Sequence, residues 1–146
     1  MGKRIRKLIL IVGLAILNPL SLMGMCVCYS EYKINSLREK FTTMDDQELE
    51  KIYQICLSLT DLAQDGKFIF FDKNRNNKFP EEILYLKPRR LTISRNCVGI
   101  SLFHMVDTGV NLSLRKYEDQ NWALYGWFGE FTEEVKLWPK DDVLVE

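Results

Sequence analysis

The chain has 146 residues, room for one domain or for one membrane segment followed by a domain of about 110 residues. Its 47% hydrophobic and 27% charged content excludes a disordered chain, which needs low hydrophobicity and high net charge. The net charge is zero, but Lys3, Arg4, Arg6 and Lys7 are the only charges in residues 1–30, so the remainder is net acidic, the opposite of a nucleic-acid-binding domain.

From Leu8 to Ser30 no residue is charged. That run is long enough for a hydrocarbon core of ~30 Å, which takes about 20 helical residues. The reading is an uncleaved anchor meeting the lipid bilayer through residues 8–28. Its basic flank predicts a cytoplasmic N-terminus and an extracytoplasmic domain. The alternative is a cleaved signal: Leu8–Leu17 has the length of a signal core, and Asn18-Pro19 can break the helix there. Cleavage near Ser30 would give a secreted or periplasmic domain, although Cys28-Tyr29-Ser30 is a poor small-x-small site. Lipid attachment fits less well. Met25 and Val27 stand where a lipobox wants a small residue, and Arg6 stands where N-myristoylation wants Ser or Thr. Cys26 and Cys28 form no Cys-x-x-Cys motif and read as apolar filling. Cys56 and Cys97 can pair in an oxidising compartment, and spacing alone leaves that open.

Residues 31–44 read as a polar linker, into which the membrane helix can continue for a turn or two, 45–140 as the folded domain and 141–146 as an acidic tail. Asp45 with Glu48 has capping-box spacing. Leu49, Ile52, Cys56, Leu59 and Ala63 then recur near the helical period, which predicts one amphipathic helix ending at Gly66. "KFIFF" reads as a short strand or a buried loop. A short helix is predicted over Pro80–Leu86, ended by Lys87-Pro88. Period-two alternation follows in "RRLTIS", "CVGISLFHM" and Val110–Arg115, with turns at Arg95-Asn96 and Asp107-Thr108-Gly109. "NWALYGWF" and "EEVKLW" supply two more strands. The expected fold class is α+β: an N-terminal transmembrane helix, then one amphipathic helix packed on an antiparallel meander of four to five strands.

"FDKNRNNKFPEEI", Phe71–Ile83, resembles a calcium loop at Asp72, Asn74, Asn76 and Phe79. It departs where the chemistry matters. Ile83 holds the place of the bidentate Glu, Glu82 comes one residue early, and Lys73, Arg75 and Lys78 surround the single carboxylate. A polar connecting loop is the better reading. No metal or cofactor is expected; a secreted weak cation-binding module is kept as an alternative.

Catalysis has little to stand on. His104 is the only histidine, which makes metal sites and triads hard to assemble, and its strand phase points it to the covered face or the sheet edge. Cys97, seven residues away on one strand, is more than about 20 Å distant at ~3.3 Å per residue. Adjacent carboxylates such as Glu81-Glu82 and Glu133-Glu134 announce no cleft, so no catalytic residue is assigned. A small carboxylate hydrolase using Glu130, Glu133 or Asp107 remains as a further alternative.

The strongest binding candidate is aromatic. Tyr117, Trp122, Tyr125, Trp127, Phe128, Phe131 and Trp138 crowd into one stretch, and aromatics dominate interface hot spots. Core packing accounts for such a cluster. If part of it is exposed, Trp122, Tyr125, Trp127 and Phe131 are the partner-binding residues. Charge segregates too: residues 67–95 hold eight Lys/Arg against three acids, and residues 117–146 eight acids against two lysines. This predicts solvated faces or a polarised surface that recruits a charged partner.

"FPEEILYLKPRRLTI…VGISLF…DTGVNLSL", Phe79–Leu114, resembles small uncharacterised bacterial α+β proteins in which a P-x-x-I-x-x-L-x-P turn leads into a β-meander. The resemblance implies that fold and no activity or site. The expectation overall is a membrane-anchored, non-catalytic interaction or accessory domain with a protein partner and no nucleic acid.

Overall fold

The computed structural model of the protein describes residues 3–63, 66–75, 78–105, 108–116, 121–129 and 134–140, with side chains at Pro19 and from Ser21 onward. The chain divides into two units, Met1–Tyr32 and Lys33–Glu146.

Helix α1, Lys3–Thr42, enters both units and contains Pro19. In the first unit Leu22, Met23, Met25 and Val27 are exposed, Met25 at 70%. Cys26 and Cys28 are exposed free thiols. Among the described residues no helix is long and apolar enough to cross a membrane.

The second unit begins inside α1. Ile34, Leu37 and Phe41, spaced i, i+3 and i+7, form one apolar stripe; Ile34 and Phe41 are buried and Leu37 packs against the core. Phe41 is 1% exposed, and its ring centroid lies 6.5 Å from that of Phe128. Arg38 Nη2 donates to the Phe128 carbonyl at 3.0 Å. Positions 31–42, expected as a linker with at most a turn or two of continued helix, are helix throughout, and from Ile34 they carry part of the core. The second helix, α2 (Asp46–Thr60), is capped as expected, with Glu48 N–H donating to Asp45 Oδ1 at 2.8 Å. It buries Leu49, Ile52, Cys56 and Leu59, then tightens into a 3₁₀ turn over Asp61–Ala63.

Six antiparallel strands follow in simple meander order: β1 (Ile69–Asp72), β2 (Arg90–Ser94), β3 (Cys97–Met105), β4 (Thr108–Lys116), β5 (Trp122–Gly129) and β6 (Glu134–Trp138). Four or five strands and one packed helix were expected; the described residues form six strands and two packed helices. "KFIFF" is the additional strand, paired with β2 from Ile69↔Ile93 to Asp72↔Arg90. The short helix before β2 is 3₁₀, Glu81–Leu86, and stops at Lys87, whose left-handed φ of 56° ends it. The turn after β3 also differs. Thr108 and Gly109 already belong to β4, with Met105 opposite Thr108.

Strand alternation divides the sheet into two faces. Leu91, Ile93, Val98, Ile100, Leu112 and Leu114 are buried under the helices, with Leu124 and Phe128 from β5. Burying a large apolar side chain stabilises by about 1.5–3 kcal/mol, so this layer holds the domain together. Among the described residues no helix covers the other face.

Candidate functional site

The uncovered face is built from two rows of cross-strand partners. One runs Phe70, Thr92, Gly99, Ser113, Tyr125 and Lys136. Its neighbour runs Asp72, Arg90, Ser101, Asn111, Trp127 and Glu134. Small side chains sit in the middle of both rows and large ones toward the ends, so the face is concave. The resulting trough encloses about 630 Å³, with Phe70 and Trp127 among its lining residues.

Gly99 sets the depth of the floor. A Cβ there would lie 2.6 Å from Thr92 Oγ1, a hydroxyl that donates to the Gly99 carbonyl at 3.3 Å. On the far side Arg115 is fixed from three directions. Its guanidinium carbon lies 5.1 Å from the Trp127 ring centroid, Nε donates to Ser113 Oγ at 2.8 Å, and Nη1 is 3.2 Å from Glu134 Oε1. The last is a charge contact outside hydrogen-bond geometry, and Glu134 Oε1 accepts no hydrogen bond among the described residues. Ser113 Oγ also lies 3.6 Å from Cys97 Sγ.

His104 also lines this trough and is exposed, so of its two expected positions, the covered face or the sheet edge, it does not take the first. The cause is a β-bulge. Ser101 pairs with Asn111 and Phe103 with Val110, leaving Leu102 without a partner. The extra residue inverts the phase, so Leu102 and Phe103 are both buried and His104 turns outward. Gly109 stands opposite His104, and a Cβ there would lie 2.7 Å from the Phe103 carbonyl oxygen.

The aromatic cluster is divided in two by the same alternation. Tyr125 and Trp127 lie half-buried on the open face, while Trp122 and Phe128 belong to the helix side, Trp122 packed against the core. The expected patch of Trp122, Tyr125, Trp127 and Phe131 is thus not one surface, because even and odd positions of β5 point apart. Phe131 and Tyr117 lie outside the described residues, as do Glu130, Glu133 and Asp107.

A second cavity of about 270 Å³ adjoins the trough, sharing Arg90, Ser101 and His104 with it. Lys73 and Arg89 also line it, and Asp72 is the one acid among its described lining residues. Asp72 is buried, and both oxygens are engaged: Oδ1 accepts from Asn74 N–H at 2.8 Å and Oδ2 from Arg90 Nε at 3.2 Å. The first ligand position of the calcium-like loop thus clamps β1 to β2. Asn76 lies outside the described residues, and among those described no three His, Cys, Asp or Glu side chains come together.

Cys56 and Cys97 are both free thiols. Burial pushes the Cys56 thiol up to about 12, with a smaller contribution from Cys97. A thiol so disfavoured as thiolate is a poor nucleophile.

No family model, curated protein or solved structure matches the chain. The resemblance over Phe79–Leu114 therefore transfers no residue role, and function has to be argued from the open face.

Proposed function

We propose that the protein is a membrane-tethered, non-catalytic binding domain whose open sheet face receives a protein partner. The observation that carries this reading is the trough: in a meander whose described helices lie on one face, the other face presents half-buried Trp127 and Phe70 around a floor of small polar residues, with Tyr125 half-buried on the same face. Rigid aromatics beside an arginine held in place are the residue types on which interface energy concentrates.

The tether is residues 8–28, with the N-terminus cytoplasmic and the domain from Lys33 onward extracytoplasmic. Its support is the uncharged run behind Lys3, Arg4, Arg6 and Lys7, together with the exposed Leu22, Met23, Met25 and Val27. Membranes washed with alkaline carbonate, followed by intact mass, test it. A 17.2 kDa chain in the pellet is expected. A soluble species short by about 30 residues would mean a cleaved signal and a released domain.

A further inference from the structure

We propose that the trough receives a single α-helix of the partner, lying along β3 and β4, neutral or acidic, with small side chains toward the floor. This deepens the docking reading and rests on it; what it adds is the shape and charge of the segment received.

Width comes first. The walls, Phe70 on β1 and Trp127 on β5, stand four strand steps apart in the sheet. At ~4.8 Å per step that is about 19 Å. A helix with its side chains is about 10–12 Å across, so one helix fits between the walls and two do not. The floor is low, made by Thr92, Gly99, Ser101, Asn111 and Ser113. Along β4 it runs from Ser113 to Gly109, about 13 Å or roughly two and a half helical turns. At that end Gly109 and Gly129 stand opposite each other, so neither β4 nor β5 raises a side chain across the exit.

Backbone chemistry separates a helix from an extended segment. The amides and carbonyls of the central strands are used within the sheet. Two floor hydroxyls are engaged as well: Thr92 Oγ1 donates to the Gly99 carbonyl, and Ser113 Oγ accepts from Arg115 Nε. A strand laid across such a surface would bury backbone groups without partners, whereas a helix bonds its own.

Charge narrows the choice further. Arg90, Arg115 and His104 line the trough, with no acid among its described lining residues. Asp72 and Glu134, at the two ends of one row, each lie 3.2 Å from one of these arginines. Lys136 on β6 belongs to the same face. Among the described strand residues of this face, four basic side chains thus meet two acids. A helix rich in Lys or Arg is repelled, and a neutral or acidic one is accepted. Its contacting stripe carries small residues, flanked by apolar ones against Phe70 and Trp127.

The test selects binders for the full-length protein in lipid nanodiscs from two display libraries. One varies a single face of a fixed helix of about 14 residues. The other holds linear peptides of equal length with prolines at intervals that forbid a helix. Helical binders are expected, with small residues on the contacting stripe and no enrichment of Lys or Arg. Ser113→Arg and Ser101→Phe, which fill the floor from two different strands, should each weaken them about 10-fold or more. Gln54→Arg, on the exposed side of α2, should leave them unchanged. Linear binders that match the helical ones and are lost when the floor is filled would overturn the helix while leaving partner docking intact. Enrichment of cationic helices would overturn it too. No binder from either library, or binders indifferent to both floor variants, would overturn the helix and the docking reading together.

Discussion

Arg115 lies over the face of Trp127, its guanidinium carbon 5.1 Å from the ring centroid, while Nη1 reaches within 3.2 Å of Glu134. Three adjacent strands are thereby joined across the open face without closing it. A contact of this kind on a half-exposed surface is worth about 0.5–1 kcal/mol, so its larger value is in presenting the indole in a fixed orientation.

Trp127→Ala should therefore cost less than about 1.5 kcal/mol in urea unfolding while removing partner association. Arg115→Lys keeps the charge but loses the planar fork, and should weaken association with an equally small effect on stability. A loss of several kcal/mol in either variant would mean that the pair is structural.

Phe41→Ala should be among the most damaging single changes, by about 3–5 kcal/mol, because the ring is fully buried against Phe128. Met25→Ala, in the exposed first unit, should leave unfolding of the domain within about 0.5 kcal/mol. Urea melts of the two variants separate a linker from a helix that carries core.

Much of the architecture was readable from residue pattern, and the failures have physical causes. Asp45 and Glu48 announce the start of α2 because capping is local chemistry. The alternation of Val110, Leu112 and Leu114 with Asn111, Ser113 and Arg115 announces β4 because pleating is local geometry. The length of α1 and its share of the core were underestimated because Glu31, Lys33, Arg38, Glu39 and Lys40 outnumber its narrow stripe of Ile34, Leu37 and Phe41. The orientation of His104, left open between the covered face and the sheet edge, was not legible because a bulge beside two adjacent apolar residues, Leu102 and Phe103, leaves no mark in composition. The trough was invisible for a further reason. Thr92, Gly99 and Ser113 are ordinary polar-side residues until pairing places them in one row, and register is a property of three strands together.

Gly99→Ala probes the trough floor directly. The new Cβ would lie 2.6 Å from Thr92 Oγ1, so that hydroxyl must rotate and give up its bond to the Gly99 carbonyl. The expected cost is about 1 kcal/mol by chemical denaturation, since one partly buried hydrogen bond is lost without a core cavity being formed.

Cys56 makes stability depend on alkaline pH. Its thiol ordinarily ionises near 9.0, and burial in the folded state raises this to about 12. Below pH 9 the thiol is neutral in both states and costs nothing. Above it the unfolded chain releases a proton that the folded chain holds, so stability falls as pH rises toward 12, by up to about 1.4 kcal/mol per pH unit. The difference in unfolding free energy between the protein and its Cys56→Ala variant, followed from pH 8 to 10.5, should show that slope, with the variant lacking it. In the native protein Cys56 should also resist alkylation until the domain unfolds.

The docking face is tested most directly by placing p-benzoylphenylalanine at Trp127 and, as a control, at exposed Glu50 on α2, then irradiating intact cells. The account predicts one discrete crosslinked species from position 127, absent from position 50 and lost when Ser113→Arg fills the trough. Equal crosslinking from both positions, or a species at 127 indifferent to Ser113→Arg, would contradict it.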